Sequence, residues 1–488
     1  MLASHHVPAL RSALQRAEFT VDAVYALLGD DAHRALGRNQ STPALRATRG
    51  VGALSTLVRL FALQVPVDRD RAEAALPELV GPLVAAGMLA VSGGEVRALV
   101  DIRPYGDETH DWWIVCDSTS GLDGRQAPMD PSYVLGISEA SSSLAQLTIR
   151  EPVGRALDLG TGCGVQALHL AGHSREVVAT DVNPRALAMA RLTAELNEAE
   201  IDVRDGSLFE PVAGETFDLI ATNPPFVISP PGSEVLVYRD SGMPGDSVVR
   251  HLVENAETHL NDGGWCQILA NWAHHDDIDW QDDLGLWLHD RPLDAWILQR
   301  ELVDPASYVE MWLADAGLAS APDYVQRYDA WLDWFAAERI EAIGFGWLSL
   351  RKTTRTPVHR LEEWAGEIAQ PVGPTVAAWG ERVDVLRGVG DTDLLDRRFR
   401  QAVDLVEETR GAAGADDPES IVIRLQHGVR RMRQVDTVEA GLVGASDGDL
   451  TSGQILDALA SLLDREPGEV RATYAPVVRE LVEEGFLT

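Results

Sequence analysis

Hydrophobic and polar positions in the middle of the chain alternate between short apolar runs and longer segments with helical spacing. Apolar runs bounded by turn residues are typical of buried strands. They predict seven strands, at residues 155–159, 177–181, 201–204, 217–223, 265–270, 295–300 and 343–350. Because strands and helices alternate, we expect a doubly wound, mostly parallel sheet. A long insertion separates the last two strands, which fit a final antiparallel hairpin.

The pattern before this sheet is different. Helical spacing occurs at residues 21–28, 54–64 and 71–86. Two apolar runs follow, at 88–91 and 96–100, with Ser-Gly-Gly between them. Helices followed by a glycine-turn hairpin are typical of a winged helix-turn-helix. A small α+β cap domain without a ligand has the same pattern, so both interpretations stay open.

The chain end repeats one part of this pattern. The helical run that stops at Gly485 resembles the run that stops at Gly87. Helices often end at a glycine in the left-handed conformation, so a common helix ending explains the likeness more simply than two related modules. We predict three domains: a winged-helix-like domain at 1–148, a catalytic domain at 149–355, and a helical, winged-helix-like domain at 356–488.

Composition narrows the class of protein. The net charge is −35, and an acidic surface repels phosphate backbones. No apolar run reaches the roughly 18 residues of a membrane helix, and the N-terminus lacks a signal-peptide pattern. The three cysteines, Cys116, Cys163 and Cys266, have neither disulfide nor metal-site spacing. We therefore expect a cytoplasmic protein that acts away from membranes.

The first candidate site follows the first predicted strand, where residues 157–164 read Leu-Asp-Leu-Gly-Thr-Gly-Cys-Gly. Glycines allow a sharp turn and close approach of a ligand, and the carboxyl end of a strand is the favoured crevice. A dinucleotide fingerprint would need glycine at Val165. The carboxylate of Asp158 would repel a pyrophosphate but suits the ammonium and sulfonium of S-adenosylmethionine. We predict that this cofactor is bound by Asp158, Gly160, Thr161, Gly162 and Gly164.

Two further loops complete the predicted cofactor site. The second strand ends at Asp181, whose carboxylate can accept hydrogen bonds from both ribose hydroxyls, with Val182 beside it. Asn183 and Pro184 then fit the N-cap and first position of a helix. The third strand leads into the predicted adenine loop, which contains Asp205, Ser207 and Leu208.

The predicted catalytic loop follows the fourth strand and reads Asn223-Pro224-Pro225-Phe226. Two prolines fix its backbone. The Asn223 side-chain oxygen and the Pro224 carbonyl can then accept hydrogen bonds from one NH2 group, and Phe226 offers a face for a flat acceptor. Two such acceptors favour attack by a nitrogen whose lone pair is delocalised, because they stabilise the positive charge that develops.

Together these motifs resemble the class I methyltransferases that act on planar nitrogens. The resemblance covers residues 150–350 and implies a Rossmann-like, seven-stranded sheet and S-adenosylmethionine. Residues 208–211 and 227–231 look similar to the release-factor glutamine methyltransferases. In this group an aspartate often precedes the Leu-Phe pair; here that position is Ser207, with Asp205 two places earlier, and either could bind adenine.

Three acceptors are compatible with these motifs. The resemblance and the acidic charge favour a glutamine amide of a protein. The winged-helix-like flanks and an arginine cluster (Arg424, Arg430, Arg431 and Arg433) suggest instead a nucleobase amino group in rRNA, tRNA or DNA. A small molecule is the third possibility, although it leaves the large flanks unexplained.

Other patterns carry less weight. Residues 274–277, His-His-Asp-Asp, could ligate a metal, but adjacent histidines rarely converge on one ion, and we predict no metal site. Residues 238–242 could line the acceptor pocket or form an ordinary turn. Trp272 could border that pocket or pack in the core.

Overall fold

The computed structural model describes residues 1–107, 109–119, 121–124, 129–231, 236–240, 242–412 and 418–488. These residues form two compact units. Unit 1 contains residues 1–145 and 151–357, and unit 2 contains residues 146–150 and 358–488. The N-terminal segment and the predicted catalytic sheet thus share a unit, and the division into three domains stays a prediction.

The secondary structure up to residue 357 begins with helices and short hairpins and continues as alternating strands and helices. The strands are β1 (Val67–Asp68), β2 (Leu89–Ser92), β3 (Glu95–Ala98), β4 (Asp101–Gly106), β5 (Asp111–Cys116), β6 (Val153–Leu159), β7 (Ser174–Asp181), β8 (Ile201–Asp205), β9 (Phe217–Thr222), β10 (Leu260–His275), β11 (Leu293–Val303) and β12 (Ile340–Lys352). The helices are α1 (Val7–Arg16), α2 (Val21–Leu36), α3 (Thr42–Ala47), α4 (Ala53–Leu57), α5 (Arg69–Ala75), α6 (Val80–Ala85), α7 (Glu139–Leu147), α8 (Val165–Ala171), α9 (Pro184–Leu196), α10 (Ser247–His259), α11 (Trp280–Leu288), α12 (Pro305–Asp315) and α13 (Tyr324–Ala337).

The main sheet of unit 1 confirms the predicted fold class. Its strands run in the order β8-β7-β6-β9-β10-β12-β11. The pairs from β8 to β10 are parallel, whereas β12 is antiparallel to both β10 and β11. All seven predicted strands are present, most of them longer than predicted, and the final antiparallel pair is present. Strand order reverses between β6 and β9, so the carboxyl ends of these two strands border the crevice where such sheets bind ligands.

The N-terminal segment packs against helices of this sheet. One hydrophobic cluster contains Leu10 and Leu14 of α1, Trp113 of β5, and Met189 and Leu192 of α9. Hydrogen bonds support the same contact. The indole Nε1 of Trp113 donates to the Phe19 carbonyl over 2.7 Å, and the Val115 amide donates to Thr193 Oγ1 over 3.0 Å.

The predicted hairpin in this segment is confirmed, since β2 pairs with β3 and β1 pairs with β3 on the other side. The prediction of one helix over residues 71–86 is wrong. The chain instead forms α5 and α6, separated at residues 76–79. Pro77 disfavours helical geometry at the residue before it, and Glu78 adopts a positive φ of 63°. The predicted helix at 21–28 lies in α2. The predicted helix at 54–64 begins in α4 and continues into the π-helical turn Val58–Ala62.

Unit 2 combines helices with an antiparallel sheet in the order β14-β15-β16. Its strands are β13 (His359–Glu363), β14 (Leu405–Arg410), β15 (Ser420–Leu425) and β16 (Met432–Val435). Its helices are α14 (Gly373–Leu386), α15 (Asp391–Leu394), α16 (Thr437–Ala445), α17 (Ser452–Leu462) and α18 (Pro467–Glu484). As predicted, α18 stops at Gly485 with a φ of 87°, and Gly87 has a φ of 70°. In the described parts of both units, no helix is both long and apolar enough to cross a bilayer.

Candidate functional site

The glycine loop joins β6 to α8. Gly160, Gly162 and Gly164 all have positive φ angles, of 76°, 56° and 87°. A Cβ atom on Gly160 or Gly162 would meet nothing within 4 Å, whereas one on Gly164 would lie 3.3 Å from the Cα of Ala190. The first two glycines therefore face open space, and the third is needed for the close approach of α9.

Asp158 lies under this loop and is almost completely buried. Its Oδ2 accepts hydrogen bonds from Thr161 Oγ1 over 2.6 Å and from the Ala167 amide over 2.9 Å. Burial raises the pKa of Asp158 to about 7, against the opposing effect of these hydrogen bonds. A nearby cation would favour the ionised carboxylate.

Asp181 ends β7 and is fixed by two backbone donors. Its Oδ2 accepts from the Gly162 amide over 2.9 Å and its Oδ1 from the Asn183 amide over 2.8 Å. Burial raises the pKa of Asp181, although these hydrogen bonds lower it. Asn183 caps α9 as predicted, since its Oδ1 accepts from the Arg185 amide over 2.9 Å.

The loop Asn-Pro-Pro-Phe begins directly after β9. Thr222, the last residue of the strand, donates from Oγ1 to the Leu159 carbonyl over 2.7 Å and so ties β9 to β6. On the far side, Phe226 forms an isolated antiparallel bridge with Asp240. The Oδ1 atom of Asn223 is buried and has no hydrogen-bond partner among the described residues.

One cavity of about 380 Å³ brings these loops together. The predicted site residues that line it are Asp158, Gly160, Thr161, Gly162, Asp181, Val182, Ser207, Leu208, Asn223 and Pro224. They come from the ends of β6, β7, β8 and β9, so the topology of the sheet explains why residues up to 66 positions apart converge.

Comparison with known families identifies this part of the chain. Residues 136–277 match the methyltransferase small domain. They form a methyltransferase small domain. The resemblance inferred from the motifs is thereby confirmed, together with S-adenosylmethionine as the cofactor of the domain. Two other family models, each described as a domain of unknown function, match residues 16–99 and 377–488.

Curated proteins similar to this chain include two kinds of methyltransferase. A release factor glutamine methyltransferase of Geobacter sulfurreducens is 32% identical over 179 residues, which are 30% of this chain and 63% of that protein. A ribosomal RNA small subunit methyltransferase C of Salmonella arizonae is 30% identical over 179 residues, 36% of this chain and 46% of that protein. The chain thus spans less than two thirds of the length of either relative.

Solved structures resemble this chain at lower sequence identity. A methyltransferase from Pyrococcus furiosus is 18% identical, with a TM-score of 0.27, over 44% of this chain and 84% of that one. A 16S rRNA methyltransferase of T. thermophilus is 17% identical, with a TM-score of 0.28, over 47% of this chain and 60% of that one.

Three predicted site residues of the methyltransferase domain are not in the lining of the cavity. Gly164 packs against α9. Asp205 is exposed at the end of β8, so Ser207 is the residue of this pair that lines the cavity. Phe226 is half-buried and lies edge-on to Trp312, with 6.4 Å between ring centroids.

The cavity also contains residues that sequence reasoning missed. The segment before β6 contributes Tyr133, Val134, Leu135, Gly136, Ser138 and Ser141, and the region after the predicted catalytic loop contributes Val237, Met243 and Val248. The first segment is held by hydrogen bonds from Asn183 Nδ2 to the Ser132 carbonyl and from Gln166 Nε2 to the Ser141 carbonyl. It has no strand or helix periodicity, and the predicted boundary at 148 separated it from the methyltransferase domain. Tyr238 and Asp240 of the predicted pocket segment line the cavity, whereas Ser241 lies outside the described residues.

The remaining candidates have structural contacts. Gln299 Oε1 lies 2.7 Å from His274 Nε2 and accepts from Trp272 Nε1 over 3.1 Å. Trp272 is fully buried and stacks on Trp280 in the core. Within the described ranges, no group of three or more potential metal ligands occurs.

Proposed function

We propose that this protein transfers the methyl group of S-adenosylmethionine to a planar nitrogen, the side-chain amide of a glutamine in another protein. The single observation that carries the proposal is Asn223 Oδ1, a buried acceptor in the cavity lining that has no partner among the described residues. Buried polar atoms are normally hydrogen-bonded. An NH2 group of a bound acceptor would supply the missing donor.

The residues of the cavity fit the cofactor. A volume of about 380 Å³ lies in the usual range for small-molecule sites. Gly160 and Gly162 leave open space for its methionine part, Asp158 offers a carboxylate to its positive charge, and Asp181 offers one to its ribose. When bound, the cofactor supplies an electrophilic methyl group on a sulfonium.

Asn223 and Pro224 would then orient the attacking nitrogen. Their two oxygens accept its two hydrogens, which directs the lone pair out of the amide plane and stabilises the positive charge that develops there. The hydrogen bond between Thr222 and Leu159 fixes the start of this loop on the sheet. A preorganised loop does not have to rearrange as the charge develops.

The charges of the flanking region support a protein acceptor. Each arginine of the predicted cluster is paired with carboxylates of the same unit. The pairs are Arg424 with Glu408 at 3.0 Å, Arg430 with Glu367 at 2.6 Å, Arg431 with Glu362 at 2.6 Å, and Arg433 with Glu439 and Glu480 at 2.9 and 2.8 Å. Arginines that already neutralise glutamates leave little net positive charge for a phosphate backbone.

The second candidate is an amino group of a nucleobase in ribosomal RNA. The observation that favours it is the group of rRNA small subunit methyltransferases among the relatives, at 30 to 34% identity. The same pair of acceptor atoms, Asn223 Oδ1 and the Pro224 carbonyl, could hold an amino group of a base.

The experiment that separates the two candidates uses S-adenosylmethionine labelled on its methyl group. The purified protein is incubated with extract from a strain that lacks it, and the product is treated with protease or ribonuclease. We expect the label to be released by protease and to be found in N-methylglutamine after complete digestion with proteases. Release by ribonuclease would support the second candidate, and no transfer to macromolecules would overturn both.

A further inference from the structure

Asp240 is a second acceptor group in the same cavity. The residue is 6% exposed and belongs to the cavity lining together with Asn223. Its Oδ1 atom is buried without a hydrogen-bond partner among the described residues, as is Asn223 Oδ1. A buried carboxylate oxygen without a donor is costly, which points to a ligand that supplies one.

The other oxygen of Asp240 is fully used. Oδ2 accepts from the Leu236 amide over 2.9 Å and from Arg239 Nε over 3.1 Å. Arg239 is itself buried and donates from Nη1 to the Trp312 carbonyl over 2.6 Å. These contacts fix the carboxylate plane by one oxygen and leave the second oxygen available.

The backbone places this carboxylate beside the catalytic loop. Phe226 and Asp240 are antiparallel bridge partners, and the Val227 amide donates to the Arg239 carbonyl over 3.0 Å. Residues paired in this way have Cα atoms about 5 Å apart. Asp240 therefore borders the region where the acceptor nitrogen would meet Asn223 and Pro224.

We infer that Asp240 selects the acceptor by accepting a hydrogen bond from a second N–H donor, next to the NH2 group that is methylated. The inference rests on the proposed function. In a protein acceptor this donor is a peptide N–H close to the glutamine. The amino groups of adenine and cytosine each lie beside at least one ring nitrogen that is an acceptor, so the Asp240 carboxylate would repel these bases. Guanine differs, because its N1–H is a donor beside its amino group, so Asp240 would not exclude it.

The test compares Asp240→Asn with the unmodified protein. The asparagine oxygen can keep the hydrogen bonds from Leu236 and Arg239, and its NH2 group then replaces the free oxygen by a donor. Asp333→Asn removes an exposed carboxylate from α13 and serves as the matched control. The assay measures labelled methyl transfer at saturating S-adenosylmethionine against increasing amounts of the extract fraction that the unmodified protein labels.

We expect Asp240→Asn to need at least ten times more of this fraction for half-saturation, with cofactor affinity unchanged in calorimetry and with Asp333→Asn unaffected. Unchanged half-saturation, a loss of maximal rate alone, or a tenfold loss of cofactor affinity would each overturn the inference while the proposed function stands. Label recovered in methylated adenine or cytosine would also overturn it, whereas label in methylated guanine would overturn the glutamine acceptor of the proposed function. If the unmodified protein labels no fraction, the proposed function itself fails.

Discussion

At the scale of single residues, the oxygen of Asn223 matters more than the volume of its side chain. Replacing Asn223 with alanine removes one of the two acceptors proposed for the nitrogen, and losing one such preorganised contact costs roughly 100-fold or more in rate. We expect Asn223→Ala to lose methyl transfer and to keep cofactor binding, as measured by initial rates and calorimetry. Asp181→Ala should instead weaken cofactor binding in calorimetry, because it removes the carboxylate proposed to bind the ribose. Normal turnover by Asn223→Ala would contradict the catalytic role.

The raised pKa of Asp158 predicts that cofactor binding depends on pH. Burial raises its pKa to about 7, so the carboxyl is largely protonated at pH 6 and ionises as the pH rises. A positive cofactor favours the ionised form, and linkage then makes affinity several-fold weaker at pH 6 than at pH 7.5. Calorimetry at both values checks this, with Asp158→Asn as the control that should show no such dependence. Equal affinities for the unmodified protein would remove Asp158 from the cofactor site.

The same linkage affects stability in the opposite direction. In the unfolded state the Asp158 carboxyl has its ordinary pKa of 3.8, and in the folded state burial raises this pKa to about 7. Between these values the unfolded state has lost the proton and the folded state has kept it, so Asp158 lowers the stability of the free protein progressively as the pH rises through this window. Cofactor binding would offset this cost at neutral pH.

At the scale of elements, the glycines of the loop after β6 differ in their role, because a side chain at Gly164 would crowd α9 whereas one at Gly162 would face open space. Gly164→Ala places a methyl group 3.3 Å from the Cα of Ala190 at a φ of 87°, so both strain and crowding oppose it. We expect about 2–3 kcal/mol less unfolding free energy. Gly162→Ala has a positive φ but nothing within 4 Å, so its strain alone should cost about 1–2 kcal/mol. Denaturant unfolding of both variants checks the order; equal losses would contradict it.

Helix α12 supports the residues directly after the proposed catalytic loop through one hydroxyl. Tyr308 OH is fully buried and accepts from the Ile228 amide over 2.9 Å and from Asn271 Nδ2 over 3.1 Å. Tyr308→Phe leaves both donors unpaired, which costs about 1–3 kcal/mol for each buried group. We expect a lower melting temperature and a reduced maximal rate. Wild-type values of both would show that the loop does not depend on this hydroxyl.

The sequence predicted the elements of the sheet because buried strands and their loops follow local rules. The runs of apolar residues predicted all seven strands, and the ends of β6, β7, β8 and β9 with the loops that follow them supplied ten predicted site residues that line the cavity. The segment 133–141 was missed because its place depends on tertiary hydrogen bonds to Asn183 and Gln166. The orientation of Ser207 towards the cavity, and of Asp205 towards solvent, likewise depends on how β8 ends.

At the scale of the whole molecule, charge distinguishes the two candidate acceptors. The chain has 41 basic and 76 acidic residues, and arginines of the predicted basic cluster are held by glutamates. Arg433 alone contacts Glu439, Glu480 and Glu484. An RNA-binding surface would instead need arginines whose counterions are released on contact with phosphates.

This charge balance predicts how RNA binding responds to salt. A protein that neutralises several phosphates binds RNA much more weakly as salt rises from 50 to 200 mM, by about 10³ or more for six or more contacts. We expect this protein to show no micromolar binding to a random single-stranded RNA in fluorescence anisotropy at either concentration. Its methyl-transfer rate should change little over the same range. Salt screens exposed charges beyond a Debye length of about 10 Å, and it weakens the attractive and the repulsive charge interactions between this protein and a protein acceptor alike. Micromolar binding with a steep salt dependence would contradict the protein acceptor and favour a base in RNA. Such binding would require a basic surface, which the described arginine pairs do not provide.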